Sequence, residues 1–477
     1  MKKKVVKVAS SVGITLSISI ATIGCASPSQ SQSQSNQTVT ITFWDRHPEL
    51  QTILTQAVNG FEKKYPNIKV KFQEIPVTTE TQQYQAAVSG NSLPDVFALS
   101  AYSLPQYVAL NTLHSLNSIF PASVQKTYPA GTFTEGYSTM GDQVYMLPMY
   151  APDHSGNMLY YNKDLLKKYG LGVPTTWNQL MTESETIYQK SGGKVYGLAE
   201  PMNNPGLLSE IASSISPAVD SNGFNDKTGQ YEFDSPGYVQ VMNFFKEMMT
   251  GHALDPDDVT TLSKPQARAA LAAGQAAFEI DGDWGGELIQ GLGFKDWGVA
   301  KLPTWNRKPY YWGYTGPTPE GLAINANTKH WQQASTFVKY LANYLYPLMA
   351  NEGYDTAKIV KPSKPAFSQV SQILNDLEST SVALPNVYQR NSATINVMEQ
   401  FDSSEPTQNI GTILQGYLTG QVKDVTSSLQ KLTSQYNQLL AKSIQQSNGK
   451  VTEKDFQFPN WVPFKSYTNS DYTKLGS

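Results

Sequence analysis

The 477 residues are too many for one compact core of ordinary size, so two or three domains are expected. An apolar share of 40% and an aromatic share of 11% describe a packed globular body and exclude a disordered one. The formal charge is −3, and it falls to −7 once Lys2, Lys3, Lys4 and Lys7 of the leader are set aside, which argues against nucleic acid as a partner.

The chain opens on the basic run MKKKVVK, followed by ASSVGITLSISIATIG, sixteen uncharged residues. That stretch is short for a membrane-spanning helix and suits the apolar part of an export signal, so residues 1–24 read as a signal peptide. Cys25, in TIGCAS, is the only cysteine, which excludes an intrachain disulfide and a metal site of several thiolates. The segment resembles a bacterial lipoprotein signal, and the resemblance implies cleavage before Cys25 with lipid on its sulfur. Multiple acylation would meet the need for more than one chain, each buried CH₂ contributing about 0.8 kcal/mol. Residues 25–38, with ASPSQSQSQSNQT, hold too little apolar surface to offset ordering and read as a flexible tether.

The body starts near Val39. VTITFW alternates Val39, Ile41 and Phe43 as a strand does, and Leu50, Ile53, Leu54, Ala57, Val58 and Phe61 then follow at helical spacing. Pro66 ends that helix at or before Tyr65. IKVKFQEI alternates again, a helix is expected over about 80–89, and LPDVFAL supplies a third strand. This order predicts an α/β fold with parallel pairing, in which ligands bind beyond the carboxyl ends of the strands. Trp44, Asp45, Arg46 and His47 stand at one such end and Tyr102 at another.

Farther along, QVYMLPMY and GNMLYYN predict strands, and a short helix over 164–169 stops at Gly170. TTWNQLMTESETIYQK predicts a helix capped by Thr176. DSNGFNDKTGQYEF predicts a hairpin-like, solvated turn; its Asp220, Asn222 and Asp226 do not fit a calcium loop, because glycine is misplaced. SPGYVQVMNFFKEMMTG predicts a capped helix with methionine as core filler. PQARAALAAGQAAFEID runs from helix into strand, and KDWGVAKLP and GLAINAN are further strands. HWQQASTFVKYLANYL predicts a long helix. PYYWGYTGPTPEG, rich in proline and glycine, predicts a loop or crossing segment. The last hundred residues are helical in patches; VTSSLQKLTSQYNQLLAKSIQ suits either a partner-seeking stripe or, more commonly, a helix packed on the same chain.

In order and spacing, YYNKDLLKKYGLGVPTTWNQL, AAGQAAFEIDGDWG, DWGVAKLP and GLAINANTKHWQQASTFVKYLAN resemble the extracellular solute-binding proteins, family 1, of ABC importers. The resemblance covers about residues 39–345. It implies a two-lobed, periplasmic-binding-protein-like α/β fold with a ligand cleft between the lobes and a helical C-terminal part. Lobe I would take 39–150 and 316–360, and lobe II 151–315 and 361–477. It also implies a lipid-anchored receptor on the outer face of a Gram-positive type of cell. Such a receptor takes a carbohydrate, mostly an oligosaccharide, to permease subunits of the importer. A monomer without cofactor, held to the membrane by its lipid alone, is expected.

EIDGDWGGELIQ gathers Glu279, Asp281, Asp283 and Glu287 around Trp284. Hydrolysis of a glycosidic bond needs two carboxyls on opposite sides, roughly 5–9 Å apart. Asp281 and Asp283 are candidates for one strand face and so approach from the same side. Binding needs less: carboxylates accept from sugar hydroxyls, and indole faces cover C–H patches. Asp283 with Trp284, and Trp44 with Asp45, supply both kinds of group. Trp312, with Tyr314 behind it, and Arg46, Tyr102 and Asp153 complete the candidate ligand set. Trp297, Trp331 and Trp177 are expected to pack structurally, and Asp95 to fix a strand end. The five histidines show no compact ligand spacing, so no catalytic metal is expected. A secreted carbohydrate-active hydrolase and a surface module for polysaccharide adhesion are the rival readings.

Overall fold

A computed structural model describes residues 38–475 apart from 77–78, 101–102, 130, 153–155, 219–222, 306–311 and 315–319, with residues 312–314 as backbone alone. The signal peptide, Cys25, nearly all of the tether, Tyr102, Asp153, Asp220 and Asn222 lie outside the described residues, as do the side chains of Trp312 and Tyr314.

Two sheets organise the body. In the first, Ile68–Glu74, Val39–Asp45, Val96–Ser100, Glu320–Ile324 and Met146–Pro148 lie side by side in that order. The first three strands run parallel, and the other two join antiparallel. Alternation drives the packing: Ile41 and Phe43 face inward and are fully buried. Against them the helix Gln51–Lys64 turns Ile53, Leu54, Ala57, Val58 and Phe61, the face expected from its spacing, and it ends at Tyr65. Asp95 does fix a strand end. Its carboxylate accepts from the Thr42 amide at 2.7 Å, from the Thr42 hydroxyl at 2.8 Å, and from Thr328, so three distant segments are knotted at one point.

In the second sheet the order is Trp297–Lys301, Asn157–Asn162, Ala276–Gly282 and Tyr196–Ala199. Ala276–Gly282 pairs antiparallel with Asn157–Asn162 and parallel with Tyr196–Ala199. All seven of its residues are buried, as befits a strand covered on both faces. Helix Lys163–Tyr169 is closed by Gly170, and helix Trp177–Lys190 is capped by the Thr176 hydroxyl, both as expected. The second core draws residues from far along the chain: Phe367, Val370, Ile373, Phe401, Leu429 and Leu440 join Trp177, Phe245 and Trp297. Helix Val425–Gln446 thus packs on its own chain, and Asn437 brackets the Tyr231 backbone at 2.8 and 2.9 Å. Leu384, Phe458, Trp461 and Tyr467 form a further small core that the sequence patterns did not reveal.

Several expectations need correction. Of the stretch expected to be a loop or crossing segment, Trp312–Tyr314 is a short strand parallel to Ser381–Ala383, a partner too distant in sequence for any local pattern to disclose. The hairpin at Phe224–Asn225 and Gln230–Tyr231 forms, but Asp226 is 2% exposed rather than solvated, because the chain near Phe458 covers it and Phe458 N–H donates to the Asp226 carbonyl. Helix Pro236–Thr250 starts at Ser235, whose hydroxyl makes no cap; Pro236 at the first position leaves fewer orphan amides to satisfy. The long helix Trp331–Asn351 continues through Pro347, because Tyr346 and Met349 on either side of it remain buried in the first core. Asp281 and Asp283 do not share a strand face, since the strand ends at Gly282.

Candidate functional site

The carboxyl ends of both sheets converge. At the first, Trp44 turns its ring edge-on to Tyr84 at 5.8 Å and is partly buried beside it. Asp45, buried, receives the His47 backbone amide at 2.8 Å and faces the His47 ring nitrogen Nδ1 at 3.0 Å. Arg46 is held between two acids, Glu80 at 3.3 Å and Glu320, which accepts from its Nη2. Burial pulls the His47 imidazole pKa down, but Asp45 and Glu320 outweigh it and lift it to about 9. The same surroundings hold Arg46 firmly charged, Glu320 and Glu80 overcoming its burial. Burial raises Glu320, and Arg46 and His47 temper the rise.

At the second sheet the strand Ala276–Gly282 ends in a turn that feeds helix Gly285–Gly291. The Tyr160 hydroxyl pins the turn, donating to the Gly282 carbonyl at 2.7 Å. Gly282 is required here: a Cβ would stand inside the Trp284 ring, which folds back over it. Asp281 accepts from Lys264 Nζ and Arg268 Nε, both at 2.6 Å. Burial alone would raise its pKa; the two cations reverse that and lower it. Lys264 also stands 5.2 Å over the Trp284 ring, a cation–π distance. Glu279 and Glu200 are fully buried, and among the described residues their carboxyl oxygens find no hydrogen-bond partner. Burial lifts both well above the carboxylate range, which Lys264 opposes and Asp281 reinforces. Asn157 donates to Ser214 at 2.8 Å beside Glu210.

The two ends meet. Trp284 packs against the buried cluster of the first sheet, although its own strand belongs to the second. Asp283, 1% exposed, has its pKa pushed up to about 8 by burial; the Trp284 backbone amide holds it back, and Glu49 from the first side adds to the rise. Burial takes Glu287 to about 7, against the hydrogen bond it accepts from Tyr354 at 2.8 Å, with Glu352 and Glu49 adding. Tyr150 is raised by burial and then by Glu49, Asp283, Glu320 and Asp45, acids of both sides. Among the described residues the seam therefore collects carboxyls, the cationic groups of Arg46, His47, Lys264 and Arg268, and the Trp284 indole.

The remaining tryptophans mostly pack. Trp177 and Trp297 are fully buried, Trp331 stacks on His114 at 3.7 Å, and Trp305 donates to the Ile215 carbonyl at 2.6 Å. Trp305 also edges a groove of about 450 Å³ beside Asn243 and Phe244, which shares no residue with the seam. Sequence reasoning missed Lys264, Arg268 and Glu200. The first two carried a signal, because their spacing of four places them on one face of the helix Lys264–Ala272 just ahead of the acidic strand. Glu200 carried none until Tyr196–Ala199 was seen to pair with Ala276–Gly282.

The family model for bacterial extracellular solute-binding proteins matches residues 44–344. An uncharacterized ABC transporter extracellular-binding protein of Pyrococcus horikoshii is 24% identical over 254 residues, 51% of this chain and 55% of that one, so the chain matches about half the relative's length. The multiple sugar-binding protein of Streptococcus mutans is 25% identical over 309 residues, 63% of this chain and 70% of that one. Among solved structures, the maltose-bound T. maritima MalE3 aligns with a TM-score of 0.63 at 20% identity, covering 84% of this chain and 100% of that one. That likeness is one of fold, two α/β lobes.

Proposed function

The chain belongs to the bacterial extracellular solute-binding proteins, and from that premise we propose that it binds a carbohydrate, an oligosaccharide, between two lobes and delivers it to an ABC importer. One observation carries the proposal: the carboxyl ends of both sheets meet at Trp284, where an indole stands beside the buried Asp283, with the half-buried Glu49 acting from the first side. Sugars present hydroxyls at their edges and apolar C–H faces, so such a grouping suits them.

Lobe I would comprise 39–150 and 316–360, and lobe II 151–315 with 361–477. The ligand set would be Trp44, Asp45, Arg46, Tyr102, Asp153, Asp283, Trp284, Trp312 and Tyr314, with Glu200 added from the end of its strand. The chain would be monomeric and moored through lipid on Cys25. Ligand contacting both walls only in the closed arrangement would shift the population toward closure, and permease subunits would read that form. Asp281 is committed to Lys264 and Arg268, which disfavours its use as the ionised partner in hydrolysis.

The test is a thermal-shift screen of the mature protein against oligosaccharides, with mass spectrometry of the sugars after long incubation. A ligand that binds the folded form raises the melting point by mass action. Intact sugar together with a saturable rise supports the receptor; turnover of the sugar supports the hydrolase, and a response to polymer alone supports the adhesion module.

A further inference from the structure

We propose that the corner of the first sheet around Val39 is a membrane-contact surface for anionic lipid headgroups. The proposal goes beyond saccharide binding and takes from the receptor reading only the lipid on Cys25.

Charge is segregated at this corner. Residues 62–71, EKKYPNIKVK, hold four lysines and one acid, in a body whose formal charge is −7 without the leader's lysines. All four lysines are exposed. Glu62 is already committed, pairing with Lys69 at 2.9 Å and accepting from the Val70 backbone amide at 2.8 Å. Among the described residues Lys63, Lys64 and Lys71 pair with no carboxylate. Helix Trp331–Asn351 packs on helix Gln51–Lys64 through Phe337 and Tyr340; it contains no acid and adds the exposed Lys339. Its Tyr344 is 46% exposed and stacks on Tyr340 at 4.3 Å, with Lys64 Nζ 5.1 Å from the Tyr344 ring centroid. Tyrosine beside lysine suits the headgroup level of a bilayer, where the ring finds apolar neighbours and the ammonium finds phosphate.

Position selects a bilayer as the occupant. Val39 N–H donates to the Asn67 carbonyl at 2.9 Å, and Thr40 and Thr42 pair with Lys69 and Lys71 in the ladder, so the chain enters the body through this corner. From Cys25 to Thr38 the chain spans at most about 45 Å. Lipid on Cys25 would keep the corner within that reach of the membrane. A short linker of this kind gives an effective concentration on the order of millimolar, so a contact too weak to hold a free protein holds a moored one. Asp45, at the opposite end of the strand Val39–Asp45, lies at the seam. Contact through the amino end therefore turns the seam toward the medium, where solute arrives.

The test is co-sedimentation of the mature chain carrying Cys25→Ser, which holds no acyl group, with two kinds of vesicle. One contains phosphatidylglycerol and phosphatidylcholine in equal amounts, the other phosphatidylcholine alone. Each unmatched lysine near the surface is worth about fivefold, so partition onto the anionic vesicles should be greater by on the order of a hundredfold. The triple variant Lys63→Gln, Lys64→Gln and Lys71→Gln, checked for folding by circular dichroism, should lose most of that preference. Three outcomes overturn the proposal: no binding to anionic vesicles, equal binding to both kinds, or an unchanged preference in the folded triple variant. Sedimentation velocity without lipid covers the other occupant: a dimer that the triple variant fails to form gives the corner to a second copy and overturns the proposal too. Saccharide binding by titration calorimetry should be the same in both proteins, so its absence bears on the carbohydrate reading and not on this corner.

Discussion

Substituting Asp283→Asn should change how stability depends on pH while leaving the turn in place. The amide has nearly the same shape and still accepts from the Trp284 backbone. In the native protein burial takes the Asp283 pKa from the ordinary 3.8 to about 8. The folded form therefore keeps a proton that the unfolded chain has released. Stability contributed by that proton is complete below about pH 4 and is lost as pH rises through about 8. Each unit inside that window is worth about 1.4 kcal/mol, so the span from about pH 5 to about pH 7 removes on the order of 3 kcal/mol. Glu287, raised to about 7, acts in the same direction and is present in both proteins, so the difference between them isolates Asp283. The assay is urea unfolding at several pH values between about 5 and about 7, followed by tryptophan fluorescence. The advantage of the asparagine variant over the native protein should grow by roughly 3 kcal/mol across that range. A difference that stays constant with pH would refute the reasoning.

Three more outcomes are expected. Asp281→Ala leaves Lys264 and Arg268 buried without their shared partner and should cost roughly 3–5 kcal/mol in urea unfolding; a loss below about 1 kcal/mol would mean water reaches both cations. Gly411→Ala drives a methyl into the Pro205 carbonyl, where the helices Pro205–Ile215 and Ile410–Leu418 touch, and should lower stability by about 1–3 kcal/mol; an unchanged denaturation midpoint would show that the two helices separate freely. Trp284→Ala should weaken saccharide binding about tenfold or more by titration calorimetry while the protein stays folded; retained affinity would move the site away from the indole.

Local chemistry made much of the fold legible. Alternation in Val39–Asp45, the Pro66 stop, the Thr176 cap and the Gly170 stop depend only on neighbours, and the structure has each of them. The ladder between Trp312–Tyr314 and Ser381–Ala383 depends on a distant partner, and its first strand read only as a loop or crossing segment. The site divides in the same way. Asp283 and Trp284 stood out because they adjoin in sequence, whereas Glu49 and Tyr150 reach Asp283 only once the two sheets are placed. Arg46 looked available to a ligand because Glu80 and Glu320 come from other segments.

The way the final stretch is woven into the second core bears on how the chain is made. The strands Asn157–Asn162 and Tyr196–Ala199 leave the ribosome long before Leu429 and Leu440 exist to cover that core, and before Gln415 can bond the Met202 and Val259 carbonyls. Contacts of such long sequence separation close late and slowly. The second half of this protein is thus obliged to wait, unfinished, until translation is nearly over, and a copy cut short near its end would be left with an open wound of apolar surface rather than a smaller working molecule.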